Sequence, residues 1–330
     1  MTDYAAQVAQ RLAEVYTGHS VIETADLDAL RIVLCSDLHK GQRDKADDFL
    51  LVEPTYLAAL ERYWQDGYAL VLLGDVEELW ECWPEPVVRE YQEVLQREGA
   101  FAAVPGRYRR LVGNHDDLWY DSEEVARHLG PYLAGGAVVE GVRLAVHEGG
   151  QALGELFLVH GHHGSRDADR FAPISRLIVR YIWRPIQRVL NIRTSTPSND
   201  FELRQEHELA MYGYAAGRRG LVLVAGHTHH PVWEGLGLEQ AVQREVEAGA
   251  VMPQVDTMWL REQEAGAVTL PGKKPCYFNT GCCSYSDGSM TAIEIAEGEI
   301  RLVRWEGPAE PVRQVLFRAS LREVLAAVAG

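Results

Sequence analysis

Asp, His and Asn gather at five places along this chain, each at or just past the end of an apolar run. The places are Asp37-Leu-His39, Gly74-Asp75, Gly113-Asn114-His115-Asp116, His160-Gly-His162 and Gly226-His227-Thr228-His229. One such cluster carries little information, because a histidine after a strand is usually a satisfied structural residue. Five in order point to a shared task. Mixed imidazole and carboxylate donors suit Mn, Fe, Zn, Ni or Co, and the lack of cysteine at these positions argues against a structural zinc site. Asp37, His39, Asp75, Asn114, His160, His227 and His229 are too many ligands for one ion; they fit two if one carboxylate bridges. Side-chain alternation places Asp37 beside His39, and His227 beside His229, if those segments are extended. His230 is then a bystander.

The elements that must carry these clusters are short buried strands. "RIVLCSD" at 31–37, "YALVLLGD" at 68–75, "YRRLVGNHD" at 108–116, "ELFLVHG" at 155–161 and "LVLVAGH" at 221–227 have that pattern. Helices are expected near 47–65 and 77–97, giving the front half a βαβ rhythm and a largely parallel sheet. Ligands gather outside the carboxyl ends of strands in such sheets, so the five clusters should meet at one rim. The first thirty residues read as a helix, with Tyr4, Val8, Leu12 and Val15 at helical spacing, and then a loop. "VRLAVHE", "CYFNTGCC", "SMTAIEI" and "EIRLVRWEG" suggest a second, more antiparallel sheet, with "AEGE" as a hairpin turn. Residues 163–215 hold no strand pattern and read as a helical insertion, and 234–275 as an excursion of loop and short strand. The expectation is one domain over 1–330, with the N-terminal helix in 1–30 and the lid-like insertion at 163–215.

Bulk properties narrow the class. The chain has 330 residues, 47% hydrophobic and 24% charged, as an ordinary globular protein does. Its formal net charge of -16 argues against a general nucleic-acid coat protein, which gains affinity by neutralising phosphates. It is compatible with a phosphorylated substrate, since divalent cations offset both site carboxylates and phosphate. No basic region followed by an apolar run opens the sequence, and its apolar stretches are strand-sized. Five cysteines in no paired pattern indicate neither a disulfide framework nor a zinc knuckle, and a reduced cytoplasmic setting is expected.

As an ordered set, "SDLH", "GDVEE", "GNHD", "LVHGH" and "AGHTH" resemble the calcineurin-like metallophosphoesterase signature DxH, GDxx(D/E), GNH(D/E), a lone histidine ending a strand, and GHxH. The matches span residues 31 to 230. The resemblance implies a four-layer αββα sandwich and two divalent ions, manganese foremost. It assigns Asp37, His39, Asp75 and His229 to one ion and Asp75, Asn114, His160 and His227 to the other. His115 would be the catalytic histidine and Asp116 its orienting partner. Two cations lower the pKa of a shared water and clamp phosphoryl oxygens, so in-line attack of a bridging hydroxide on a phosphate ester or pyrophosphate is the implied reaction. "GDVEELWECW" and an arginine-bearing insertion further resemble the UDP-2,3-diacylglucosamine diphosphatase branch, which cleaves a nucleotide-lipid pyrophosphate. That branch has Arg where this chain has His115, "HGD" where this chain has "HGH", and no leader of thirty residues.

Arg176, Arg180 and Arg184, with Arg188, stand four residues apart in the insertion and would form one helical stripe. Over 163–193 seven arginines face two aspartates, a local +5 in an acidic chain. A solvated face is the plain reading of such a stripe; the alternative is a lid that meets phosphates, or peripheral contact with an anionic membrane. His162 and His163 are candidate substrate contacts through their closeness to His160. Trp80 and Trp83 read as packing groups, as does the Cys282–Cys283 pair, and His128, His147 and His207 as satisfied histidines. The expected partner is a phosphorylated small-molecule or lipid-linked substrate. A non-catalytic metal-binding scaffold is the competing class, and a nuclease is disfavoured by the acidic balance.

Overall fold

The computed structural model describes residues 3–133, 138–164, 201–248, 269–307 and 310–330. Helix α1 (Asp3–Glu14) leads into strand β1 (Ser20–Asp26), which stands where the sequence suggested a loop. Its alternating half-buried pattern is that of an edge strand with little apolar signal. Next come β2 (Ile32–Cys35), α2 (Glu53–Gln65), β3 (Ala69–Leu72), α3 (Pro84–Glu90), α4 (Gln92–Ala102) and β4 (Tyr108–Leu111). The helix expected over 77–97 therefore begins later, with Pro84 in its first turn, and breaks at Tyr91. After α5 (Ser122–His128) and α6 (Gly130–Leu133) follow β5 (Val138–Val139), β6 (Gly141–Glu148) and β7 (Gln151–Val159). Helix α7 (Phe201–Ala216) precedes β8 (Leu221–Ala225), β9 (Pro231–Trp233), β10 (Leu236–Gly237) and α8 (Leu238–Glu247). The chain closes with β11 (Tyr277–Thr280), β12 (Met290–Ala296), β13 (Glu299–Glu306), β14 (Val312–Ser320) and α9 (Leu321–Val328).

Two mixed sheets of seven strands form among the described residues, ordered β1-β6-β7-β8-β11-β9-β10 and β14-β13-β12-β2-β3-β4-β5. The βαβ rhythm is present: β2, β3, β4 and β5 pair in parallel. The back half does not make a sheet of its own. Strands β12, β13 and β14 add antiparallel to β2, with Ala296 opposite Glu299 at the expected hairpin, whereas β11 pairs in parallel with β8. Both sheets are thus built from distant parts of the chain.

Burial explains the apolar runs. Ile32 and Leu34 face the core between the sheets, and Val33 and Cys35 face the core under α2 and α4. A strand covered on both faces loses the polar alternation of a half-exposed one. Helices α1 and α7 cover the far face of the other sheet, with Tyr4, Val8 and Leu12 of α1 joining the same core as Phe157 and Leu223. The resulting α/β architecture is the expected four-layer αββα sandwich, with helices outside and the sheets face to face. Among the described residues no helix is long and apolar enough to cross a membrane.

Candidate metal centre

Strands β2, β3 and β4 of one sheet and β7 and β8 of the other all end at a common rim. The sheets pinch together there: Ser36 Oγ, after β2, lies 2.6 Å from Thr280 Oγ1 at the end of β11. The approach is tight enough to require glycine. A Cβ on Gly226 would lie 2.3 Å from Ser36 Oγ, and one on Gly113 only 2.4 Å from the Asp75 backbone nitrogen. The backbone leaves the strands by turning left-handed and not by extending. Asp37, His39, Asp75, His227 and His229 have φ of 55°, 51°, 51°, 72° and 60°. The side chains of 37 and 39, and of 227 and 229, therefore converge through these turns and not through strand alternation. Asp and His tolerate this region better than most residues, yet each such residue costs on the order of 1–3 kcal/mol. Strain clusters where the polar groups gather.

Those groups form two nests that meet at Asp75. In the first, His229 Nε2 lies 3.3 Å from Asp37 Oδ1 and 3.2 Å from His39 Nε2. In the second, His160 Nε2 lies 3.1 Å from Asp75 Oδ2 and 3.2 Å from Asn114 Oδ1. Ligand atoms of Asp75, His160 and His227 fall within 4.8 Å of one another, as do those of Asp37, His39 and His229. Asp75 Oδ2 reaches toward the first nest as well, 3.9 Å from His39 Nε2.

The donor chemistry fits divalent cations. Asp37 and Asp75 are buried, and Asp37 Oδ1 makes no aligned hydrogen bond, its nearest nitrogen being His229 Nε2 at 3.3 Å. A buried carboxylate oxygen left unpaired is costly unless a cation meets it. His160 Nδ1 lies 2.9 Å from the Leu73 carbonyl oxygen and His39 Nδ1 lies 3.0 Å from Glu78 Oε2. Each ring thereby fixes its Nδ1–H outward and turns Nε2 inward as a donor to metal. Burial works against the Asp75 charge, but the neighbouring His160 and His115 hold its carboxyl well below the usual range. Burial, helped by His160 and His207, keeps His227 neutral. Burial opposes a proton on His160, yet Asp75 raises it to about 9. The nests attract positive charge.

Glu78 is the functional residue that motif reading left without a role. Its Oε2 lies 2.7 Å from His115 Nδ1 while also meeting His39. Burial would lower His115, but Glu78 and Asp75 raise it to about 10. Trp80 stacks on the His115 ring, with centroids 4.5 Å apart and planes 21° apart, and so belongs to the site's wall. The Asp116 carboxylate accepts from Gly113 N and Val76 N at 2.7 and 2.9 Å and lies 3.5 Å from Arg110. It braces the loops after β3 and β4; the carboxylate against the His115 ring is that of Glu78. Beneath lies a buried chain of charges, with Lys40 Nζ 3.1 Å from both Glu77 and Glu98, and Glu77 paired with Arg110. "GDVEE" was the one signal for this pair: Glu78 faces the site and Glu77 its buried support.

Of the sequence candidates, Asp37, His39, Asp75, Asn114, His115, His160, His227 and His229 come together, with His162 at the margin, its ring 5.4 Å from that of His160. His230 points elsewhere, against Arg204. His207 ties elements together: Tyr4 Oη of α1 lies 2.8 Å from its Nδ1, and its Nε2 lies 2.7 Å from the Gly161 carbonyl. Arg176, Arg180 and Arg184 lie outside the described residues.

The family model for calcineurin-like phosphoesterases matches residues 30–231, the interval that contains all five clusters. The chain belongs to that family. No curated protein matches significantly. Among solved structures, the chain is similar to vacuolar protein sorting 29 from Cryptosporidium parvum, at 13% identity and a TM-score of 0.35, covering 88% of this chain and 98% of that one. A conserved protein from Streptococcus pneumoniae, described as a predicted phosphoesterase, aligns at 14% identity and a TM-score of 0.28, over 87% and 97% of the two chains. The 5'-nucleotidase precursor from Thermus thermophilus aligns at 13% identity and a TM-score of 0.31, over 87% of this chain and 54% of that one.

Proposed function

We propose that this protein is a dinuclear metal-dependent phosphoesterase that hydrolyses a phosphate ester or pyrophosphate bond. The observation that carries the reading is the pair of donor nests meeting at Asp75, with His115 placed beside them. Asp37, His39, Asp75 and His229 would hold one cation; Asp75, Asn114, His160 and His227 the other. Such a pair supplies an activated water and a clamp for phosphoryl oxygens, and manganese is the first candidate. The chain's own residues do the rest. His115, held by Glu78 and Trp80, keeps a proton that it can deliver to the leaving oxygen. Cleavage of a nucleotide-lipid pyrophosphate is a narrower form of the same chemistry, supported by the sequence resemblance alone. A cytoplasmic setting is part of the same proposal.

The test is hydrolysis of bis(4-nitrophenyl) phosphate by chelator-treated protein before and after addition of manganese, beside Asp75→Ala. Activity that returns with metal in the wild type and not in the variant is expected. No turnover of monoesters, diesters or pyrophosphates under any divalent metal would leave the non-catalytic scaffold as the better reading.

A further inference from the structure

Next to the metal centre lies an open pocket of about 330 Å³, most of whose lining the proposed chemistry does not use. Its inner wall is shared with the site, through Asn114 and Trp80; its outer wall comes from α1, through Arg11 and Glu14, and from Tyr120. His162 and His163 line it, only 8% and 6% exposed, with rings stacked 4.2 Å apart. Three ring nitrogens are buried here with no polar partner, His162 Nδ1, His163 Nδ1 and Trp80 Nε1, while His163 Nε2 lies 3.4 Å from Glu140 Oε1. A buried polar atom left unsatisfied is costly, so three at one pocket are a recognition surface in want of a ligand.

The chemistry of the walls selects that ligand. An acyl chain would leave all three nitrogens unpaired. A second phosphate would face Glu14, Asp117 and Glu140, while Arg11 is already paired with Glu14 at 3.0 Å. Aromatic rings and unpaired nitrogens together suit a flat, neutral group carrying hydrogen-bond donors and acceptors on its edge. We propose that this cavity is a subsite for a heteroaromatic base, so that the substrate is a nucleoside phosphoester or pyrophosphate with its base seated between Tyr120, Trp80 and the His162–His163 pair. This rests on the phosphoesterase reading for its place in a reaction, but binding of the base does not require metal. It also gives α1 a task, since Tyr4, His207 and Gly161 hold that helix against the loop bearing His162.

The experiment is calorimetric titration of the full-length, chelator-treated protein with adenosine and with uridine, neither of which carries phosphate, and with n-octyl phosphate. Saturable binding of at least one nucleoside is expected, weakened about tenfold in His163→Phe, which keeps the ring and deletes its nitrogens. Tyr120→Ala, at a half-exposed position tolerant of change, should weaken it likewise. No saturable nucleoside binding by the wild type overturns the subsite, as do equal affinities in both folded variants, or preference for the octyl chain. Failure of the phosphoesterase reading is separate: it would appear as nucleoside binding without hydrolysis of any phosphoester after metal loading.

Discussion

Glu78 shows how one carboxylate can set the chemistry of two rings. It lies 3.0 Å from His39 Nδ1, turning that ring's Nε2 toward the first nest, and 2.7 Å from His115 Nδ1. With Asp75 it raises His115 from 6.5 to about 10, against the pull of burial. The sign follows: a raised histidine stabilises the fold below its unfolded value, and that contribution is lost as pH rises through about 10. In Glu78→Gln the imidazole should therefore release its proton at distinctly lower pH, read by NMR titration of the metal-free protein. The high-pH limb of activity should move down with it. His115→Ala should lower turnover by about 10²–10⁴ while bound metal per chain stays near wild type, since the ring serves the leaving group. That defect should shrink for a nitrophenolate leaving group, which needs little protonation. An equal loss for nitrophenolate and alkoxide would show that His115 positions phosphate instead.

At the scale of elements, strand ends and the turns after them decide where the ligands point. These were legible because β2, β3, β4, β7 and β8 are buried and stop abruptly at polar residues. The left-handed turns were not, since Asp and His at those positions carry no local sign of positive φ. Edge strand β1 escaped notice because none of its residues is fully buried, which leaves a pattern close to that of a loop. Glycine marks the tightest approach. In Gly113→Ala the new Cβ would lie 2.1 Å from Asp75 Oδ1 and 2.4 Å from Asp75 N, and backbone cannot yield as a side chain can. This variant should lower Tm and lose bound metal together. Gly213→Ala, in α7 with open space about it, should match or exceed wild-type stability by up to about 1 kcal/mol. If Gly113→Ala binds metal normally, the loops after β3 and β4 are not the rigid frame described.

For the whole molecule, the donors divide between the sheets. Asp37, His39, Asp75 and Asn114 follow strands of one; His160, His227 and His229 follow strands of the other. The sequence marked out these donor residues but not this division, because which sheet a late strand joins depends on pairing between distant segments. Strands β12 and β13 joined β2, and β6 and β11 went to the other sheet, although all four looked alike in pattern. The division would give a bound metal a structural consequence. Cations held from both sides would fasten the sheets at the rim where Ser36 meets Thr280, and would offset the buried charge of Asp37. A ligand that binds only the folded chain stabilises it by about 2.7 kcal/mol at a hundredfold excess over its Kd. Manganese added to chelator-treated protein should therefore raise Tm by several degrees. His227→Ala, which leaves the first nest complete, should keep part of that gain, and Asp75→Ala, which opens both, should keep least. A gain abolished alike by His227→Ala and His229→Ala, with one ion bound per wild-type chain, would mean that the nests serve a single ion and that Asp75 bridges nothing.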